Sequence, residues 1–70
     1  MGPYEQAVAV LSDAITDYIR KAKRRGTIGM SKACLMQCIP TRGVYLPNAN
    51  AFQRAFEDAI VAAKAGKFVY

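Results

Sequence analysis

The sequence predicts a single, mainly α-helical domain with three helices and a minimal two-stranded β element. Two long stretches repeat apolar residues at the i, i+3, i+4, i+7 spacing of an amphipathic helix. Glycine and proline residues punctuate the chain between them, where turns and short extended pieces are expected. The chain has 70 residues, 53% of them hydrophobic, which leaves room for one compact core and no second domain.

The first predicted helix covers residues 3–25. Pro3 suits a first helical turn, and Gly26 suits the position directly after a helix. Residues 27–30 are too few for a helix and begin with two β-branched residues, so we expect a short strand there. The apolar stripe of the helix consists of Tyr4, Ala7, Val8, Leu11, Ala14, Ile15, Tyr18, Ile19 and Ala22.

A short second helix is predicted over residues 31–38, followed by a loop over residues 39–48. Ser31 is a suitable N-cap for this helix because its hydroxyl can accept a hydrogen bond from a free backbone N–H. Pro40 prevents the helix from continuing, because proline disfavours helical geometry in the residue before it.

The third predicted helix covers residues 50–65, and a C-terminal strand covers residues 67–70. Asn48 or Asn50 is expected to cap this helix, and Gly66 is expected to end it. The C-terminal strand is the natural partner of the strand after the first helix. The large side chains expected in the core are Leu11, Ile15, Tyr18, Ile19, Leu35, Phe52, Phe56, Ile60 and Phe68.

Three segments carry a resemblance to a known family: residues 28–35 (IGMSKACL), residues 50–56 (NAFQRAF) and residues 65–68 (AGKF). They are similar to the strand and second helix, the recognition helix, and the first wing strand of winged-helix DNA-binding domains, a branch of the helix-turn-helix class. The resemblance implies a winged-helix-like domain that presents its third helix to the major groove of DNA. The loop over residues 39–48 is longer than the family's turn, and residues 67–70 supply only one strand of a wing.

Basic residues are concentrated in the middle of the chain. The formal net charge is +5, and residues 18–56 contain eight of the ten basic residues and no acidic residue. This asymmetry predicts a polyanionic partner, and nucleic acid is the expected one, DNA more than RNA. The five acids are Glu5, Asp13, Asp17, Glu57 and Asp58.

A basic run at the end of the first helix is the strongest candidate for contact with phosphates. The alternative is that cations at a helix C-terminus interact with the helix dipole and keep the protein soluble. One or two cations satisfy that alternative, whereas the run supplies five. Its members are Arg20, Lys21, Lys23, Arg24 and Arg25, and Lys32 is expected to join them on the backbone.

The polar face of the third helix is the candidate for base recognition. Asn50 and Gln53 suit the edge of adenine, and Arg54 suits guanine. Phosphate repulsion of Glu57 and Asp58 leaves only the first two turns for insertion in a major groove. The alternative is an ordinary solvated face of an amphipathic helix.

The loop over residues 39–48 is a third candidate site. Arg42 and Tyr45 could grip a nucleic acid by stacking and charge, or dock on a protein. A loop folded back with Tyr45 on the core is the alternative. In an adaptor or inhibitor of a larger protein, Arg42, Tyr45 and Leu46 carry the contact and the basic run steers the chain to an acidic partner.

Other classes of function are disfavoured by the residues that the chain lacks. Without histidine, neither a four-ligand structural zinc site nor general acid–base chemistry near neutral pH is expected, so we predict no enzyme, metal or cofactor. At least one of Cys34 and Cys38 is expected as a buried small hydrophobe. No signal-peptide pattern and no apolar run of roughly 20 residues is present, so we expect a cytoplasmic protein without a membrane partner. A homodimer is expected to multiply the few base contacts of one module.

Overall fold

The computed structural model describes residues 2–70 and consists of three helices with little strand structure. The helices are α1 (Pro3–Arg24), α2 (Lys32–Cys38) and α3 (Ala49–Ala62). The mainly helical fold with three helices is therefore confirmed. The molecule measures 35 × 19 × 19 Å, and α1 and α3 form its main helix pair.

Both ends of α1 are closed by short-range hydrogen bonds. At the start, the backbone N–H of Gly2 donates to the Glu5 carboxylate at 2.7 Å, and Pro3 occupies the first turn. At the end, Gly26 adopts a left-handed conformation with φ of 88°. The N–H groups of Thr27 and Gly26 donate to the carbonyls of Ala22 and Lys23, each at 3.0 Å. This pair of bonds is a Schellman motif, which satisfies carbonyls that the helix leaves free.

The core lies between the three helices and is built from the predicted apolar stripes. Leu11, Ile15, Leu35 and Phe56 are fully buried, and burial of each such side chain contributes about 1.5–3 kcal/mol. Of the nine predicted core residues, seven are buried, while Tyr18 and Phe52 pack at its edge and stay half-buried. Ile39, which follows α2, and Ala65, which follows α3, are buried as well and were not predicted.

The predicted two-stranded β element is not confirmed. Met30 and Val69 form one isolated parallel bridge, in which the N–H of Met30 donates to Phe68 and the N–H of Tyr70 donates to Met30, both at 3.0 Å. Gly29 permits this close approach, because a Cβ there would lie 2.9 Å from the Phe68 carbonyl oxygen. The pairing stays short because residues 66–68 form a turn, which leaves little extended chain for a second strand.

The end of α3 differs from the prediction. The helix ends at Ala62 and not at residue 65, and the left-handed residue after it is Lys64, with φ of 56°, and not Gly66. The N–H groups of Ala65 and Lys64 donate to the carbonyls of Ile60 and Val61, each at 3.0 Å, and complete a second Schellman motif. Ala65 and Ile60 are both buried, so the apolar contact that accompanies this motif holds the chain against the core.

Candidate nucleic-acid interface

The basic run at the end of α1 is divided between different sides of the helix. With 3.6 residues per turn, neighbouring positions point in different directions. Arg20 and Lys23 line a groove beside the segment after α3. Lys21 lies within 3.1 Å of the Asp17 carboxylate, one turn earlier. Arg25 lies near Tyr18. The pKa of Tyr18 is raised by its interaction with Cys38 and by burial, and the positive charge of Arg25 offsets part of this rise. The run therefore covers a wide arc of the helix surface, and only Arg20 and Lys23 of it face the groove.

A groove with a volume of about 380 Å³ lies beside Arg20 and Lys23. One wall comes from the last two turns of α1, and the other comes from the segment directly after α3. Four of its lining residues are basic, and none of the described residues that line it is acidic. We call it the cationic groove, lined by Thr16, Ile19, Arg20, Lys23, Ala63, Lys64, Ala65, Lys67 and Phe68.

The Schellman motif after α3 orients the second wall of the cationic groove. Ala65 is 5% exposed and Phe68 is 4% exposed, so both side chains pack inward. Lys64 directly precedes Ala65, Lys67 directly precedes Phe68, and both lysines are exposed. Apolar anchors thus alternate with cations along this segment, which turns two lysines towards the same groove as Arg20 and Lys23.

Lys64 and Lys67 were not among the predicted site residues. They lie outside the acid-free stretch of residues 18–56, in a segment that was expected to serve as a helix end and a strand. The sequence feature that could have indicated them is the pair of lysines that flank Gly66. Their proximity to the end of α1 depends on the packing of α3, which the sequence pattern does not specify.

The predicted base-reading face of α3 is exposed at Asn50, Gln53 and Arg54. The helix begins with a cap in which the Asn48 side chain accepts from the N–H of Ala51 at 2.8 Å. Lys32, expected on the phosphates, instead donates to the Glu57 carboxylate at 2.7 Å. This ion pair neutralises one of the acids of the face and occupies Lys32 at the same time.

Asp58, the other acid of α3, accepts a hydrogen bond from the hydroxyl of Tyr4 in α1. This hydrogen bond, together with desolvation and the charge of Asp58, raises the pKa of Tyr4 above its ordinary value. Arg54 lies near Tyr4, at the start of α1, and its positive charge offsets part of the rise in the pKa of Tyr4. Asp58 is therefore occupied within the molecule.

In the loop over residues 39–48, Tyr45 is 83% exposed, so its ring does not lie on the core. Arg42 is exposed as well, next to Gly43, whose φ is 85°. Leu46 is half-buried and packs against the core cluster, which leaves Arg42 and Tyr45 as the accessible pair of this loop.

The expectation of a buried cysteine is wrong. Cys34 and Cys38 are both free thiols and both exposed. Helix α2 has seven residues and buries only Leu35, and positions 34 and 38 lie beside this one buried residue on the exposed side. The pKa of Tyr18 is raised, first by its interaction with the Cys38 thiol and then by burial. Among residues 2–70, histidine, cysteine and acidic side chains nowhere form a group of three that could hold a metal ion.

None of the three helices within residues 2–70 is both long enough and apolar enough to cross a bilayer. Comparison of the chain with models of protein families, with curated proteins and with solved structures finds no match in any of the three.

Proposed function

We propose that this chain is a small nucleic-acid-binding protein with a regulatory role, and that its partner is duplex DNA. The observation that carries the proposal is the cationic groove, in which four basic side chains from two distant parts of the sequence converge without an acid among its described lining residues. Phosphate groups are the ligands that such a site favours, because Lys and Arg neutralise them and release their counterions.

The distribution of ion pairs supports the same proposal. Lys21 and Lys32 are the basic residues engaged with carboxylates within residues 2–70, and the other eight form no ion pair there. By contrast, Glu5, Asp17, Glu57 and Asp58 all have internal partners. Four of the five acids thus have partners within the molecule and most cations do not, and the net charge of +5 gives a positive field that attracts a polyanion.

In the proposed complex, α3 supplies the contacts that read sequence. Asn50, Gln53 and Arg54 lie in its first two turns and are exposed, as a winged-helix-like recognition helix requires. Each well-formed bidentate contact to a base contributes about 1–3 kcal/mol of discrimination. Arg24, Arg25 and the cationic groove hold the phosphate backbone. A homodimer doubles these contacts on two half-sites, and such a role suits a cytoplasmic protein.

Binding of the purified protein to random duplex DNA at about 50 and 200 mM salt tests the proposal. Six phosphate contacts, from Arg24, Arg25 and the four cations of the groove, give a slope of about −5.4 in a double-logarithmic plot, so affinity should fall on the order of a thousandfold over this range. Arg24→Gln together with Arg25→Gln should weaken binding to all sequences, whereas Arg54→Ala should change the preferred sequence. No binding at the lower salt concentration would falsify the proposal.

A second function, that of an adaptor or inhibitor of a larger protein, is favoured by one observation. Tyr45 exposes 83% of its surface beside the exposed Arg42, and tyrosine and arginine are frequent anchors of protein interfaces. Tyr45→Ala should abolish capture of such a partner and leave affinity for duplex DNA unchanged. Loss of both activities in this variant would count against separate sites.

A further inference from the structure

We infer that Arg20, Lys23, Lys64 and Lys67 act as one phosphate-backbone site, and that the left-handed position 64 carries a lysine and not a glycine because the ammonium contributes to this site. The inference rests on the proposed nucleic-acid-binding function and assigns it a specific surface. Two of the four residues come from the end of α1, and the other two come from the segment after α3.

The backbone of Lys64 is unusual for its residue type. Its φ of 56° makes it the one non-glycine residue with a positive φ among residues 2–70. A side chain in this conformation crowds the following carbonyl oxygen, and glycine avoids the penalty. The equivalent position after α1 is Gly26, which makes the same pair of hydrogen bonds. Glycine therefore serves this motif at one helix end, and a lysine takes the strained place at the other.

Attraction to the helix dipole does not account for all four cations. A positive side chain near a helix C-terminus is favourable, which applies to Lys23 in the last turn of α1 and to Lys64. Lys67 lies beyond the helix and beyond the turn after it, where this effect has decayed. The two helix C-termini near the groove repel an anion, so a phosphate can bind only if the side-chain cations outweigh them.

The four cations of the groove favour an anion with several charges over a single point charge. These cations stand on two facing walls, and Ile19 and Phe68 beneath them are 8% and 4% exposed, so they form a largely closed apolar floor. A phosphodiester backbone carries successive charges that cations on two walls can contact. Arginine can grip one phosphate by two parallel hydrogen bonds, while the lysines act as point charges.

The test compares Lys64→Gly, Lys64→Asn and Lys64→Arg for thermal stability and for affinity to a fluorescent duplex at about 50 mM salt. Lys64→Gly should raise Tm by about 4–8 °C, because the backbone penalty disappears. The same variant should lose about tenfold in affinity and about 0.9 in the slope against salt, since one phosphate contact is gone.

Lys64→Arg is the matched control, because it keeps both the charge and the strain and should keep affinity and Tm near those of the parent protein. Lys64→Asn removes the charge but tolerates the left-handed region, so its affinity should match that of Lys64→Gly. Gln6→Glu lowers the net charge by the same one unit in the first turns of α1 and should leave binding nearly unchanged.

The outcomes separate this inference from the proposed function. If the parent protein binds duplex DNA and Lys64→Gly binds it equally well, the groove assignment is wrong and the function stands. If the parent protein does not bind duplex DNA, the function fails, and amide shifts on addition of tripolyphosphate test the groove alone. Shifts confined to residues 16–23 and 63–68 support the anion site, and their absence overturns it. Tripolyphosphate that binds more tightly than the duplex overturns the assignment to a nucleic-acid backbone.

Discussion

The C-terminal ends of α1 and α3 use the same backbone hydrogen bonds but lead to different surroundings. Both close with a Schellman motif, around Gly26 in one case and Lys64 in the other. After α1 the chain enters solvent, and Ile28 is 94% exposed. After α3 it returns to the core through Ala65 and Phe68. The backbone motif thus ends a helix whether the next residues are exposed or buried, and the side chains around it decide whether that end anchors the fold or presents charge.

Removal of the apolar side chain of Phe68 should give the largest difference in stability between the segments that follow α3 and α1. We expect Phe68→Ala to lower the free energy of unfolding by about 3–4 kcal/mol, because it opens a cavity under the segment after α3. For a domain of this size that is a large part of a total of about 4–10 kcal/mol. Ile28→Ala, in the corresponding segment after α1, should change stability by less than about 0.5 kcal/mol. Urea unfolding followed by circular dichroism measures both, and equal losses would contradict the comparison.

Glycine substitutions test the backbone side of the comparison. Gly26→Ala should cost about 1 kcal/mol, because alanine must adopt a left-handed conformation with no compensating contact. Gly66→Ala is the matched control, since a Cβ there meets nothing within 4 Å. Its φ lies outside the left-handed region, so we expect a neutral or slightly stabilising change. The same urea titration distinguishes the two, and a destabilised Gly66→Ala would show that residue 66 contributes to the end of α3.

The smallest expected effect concerns the start of α1, where Tyr4 contacts Asp58 of α3 away from the two helix C-termini. The hydrogen bond of Tyr4 to Asp58 raises the pKa of the phenol, so Asp58→Ala should lower it towards the ordinary value near 10. The phenol is favoured in the folded state, so this contribution to stability is present below pH about 10 and is lost as pH rises through the raised pKa. Titration of phenolate absorbance in the parent protein, Asp58→Ala and Tyr4→Phe measures it. Superimposable curves for the first two would show that the carboxylate does not act on Tyr4.

Local patterns in the sequence predict most of the helical structure. The apolar stripe from Tyr4 to Ala22 has no competing periodicity, and Gly26 ends α1 as expected. The end of α3 could not be predicted in the same way, because Gly66 is the residue that usually takes the left-handed position, while Lys64 takes it here. Which of two nearby residues adopts that conformation depends on where Ala65 and Phe68 find space in the core, and this is a tertiary effect.

The candidate site is predictable in its charge but not in its shape. The basic run and the acid-free stretch indicate a polyanionic partner, yet they omit Lys64 and Lys67 and treat Lys32 as free. The ion pair of Lys32 with Glu57 joins α2 to α3, and the cationic groove joins α1 to the segment after α3. Both depend on helix packing. The error on Cys34 and Cys38 has the same origin, because a helix of seven residues with one buried position leaves nearly all of its other side chains outside.

The isolated bridge between Met30 and Val69 also affects how rigidly the groove is held. It closes a large loop that contains α2, the segment over residues 39–48 and α3, and only a few backbone bonds fasten it, among them the 3.3 Å bond from Lys32 to Tyr70. Such a closure can open as a local unfolding unit while α1 and α3 remain packed. Because Phe68 supplies both the carbonyl for this closure and the floor of the groove, each opening releases the wall that carries Lys67. The free energy of that local opening therefore sets a limit on how well the four cations are preorganised for an anion.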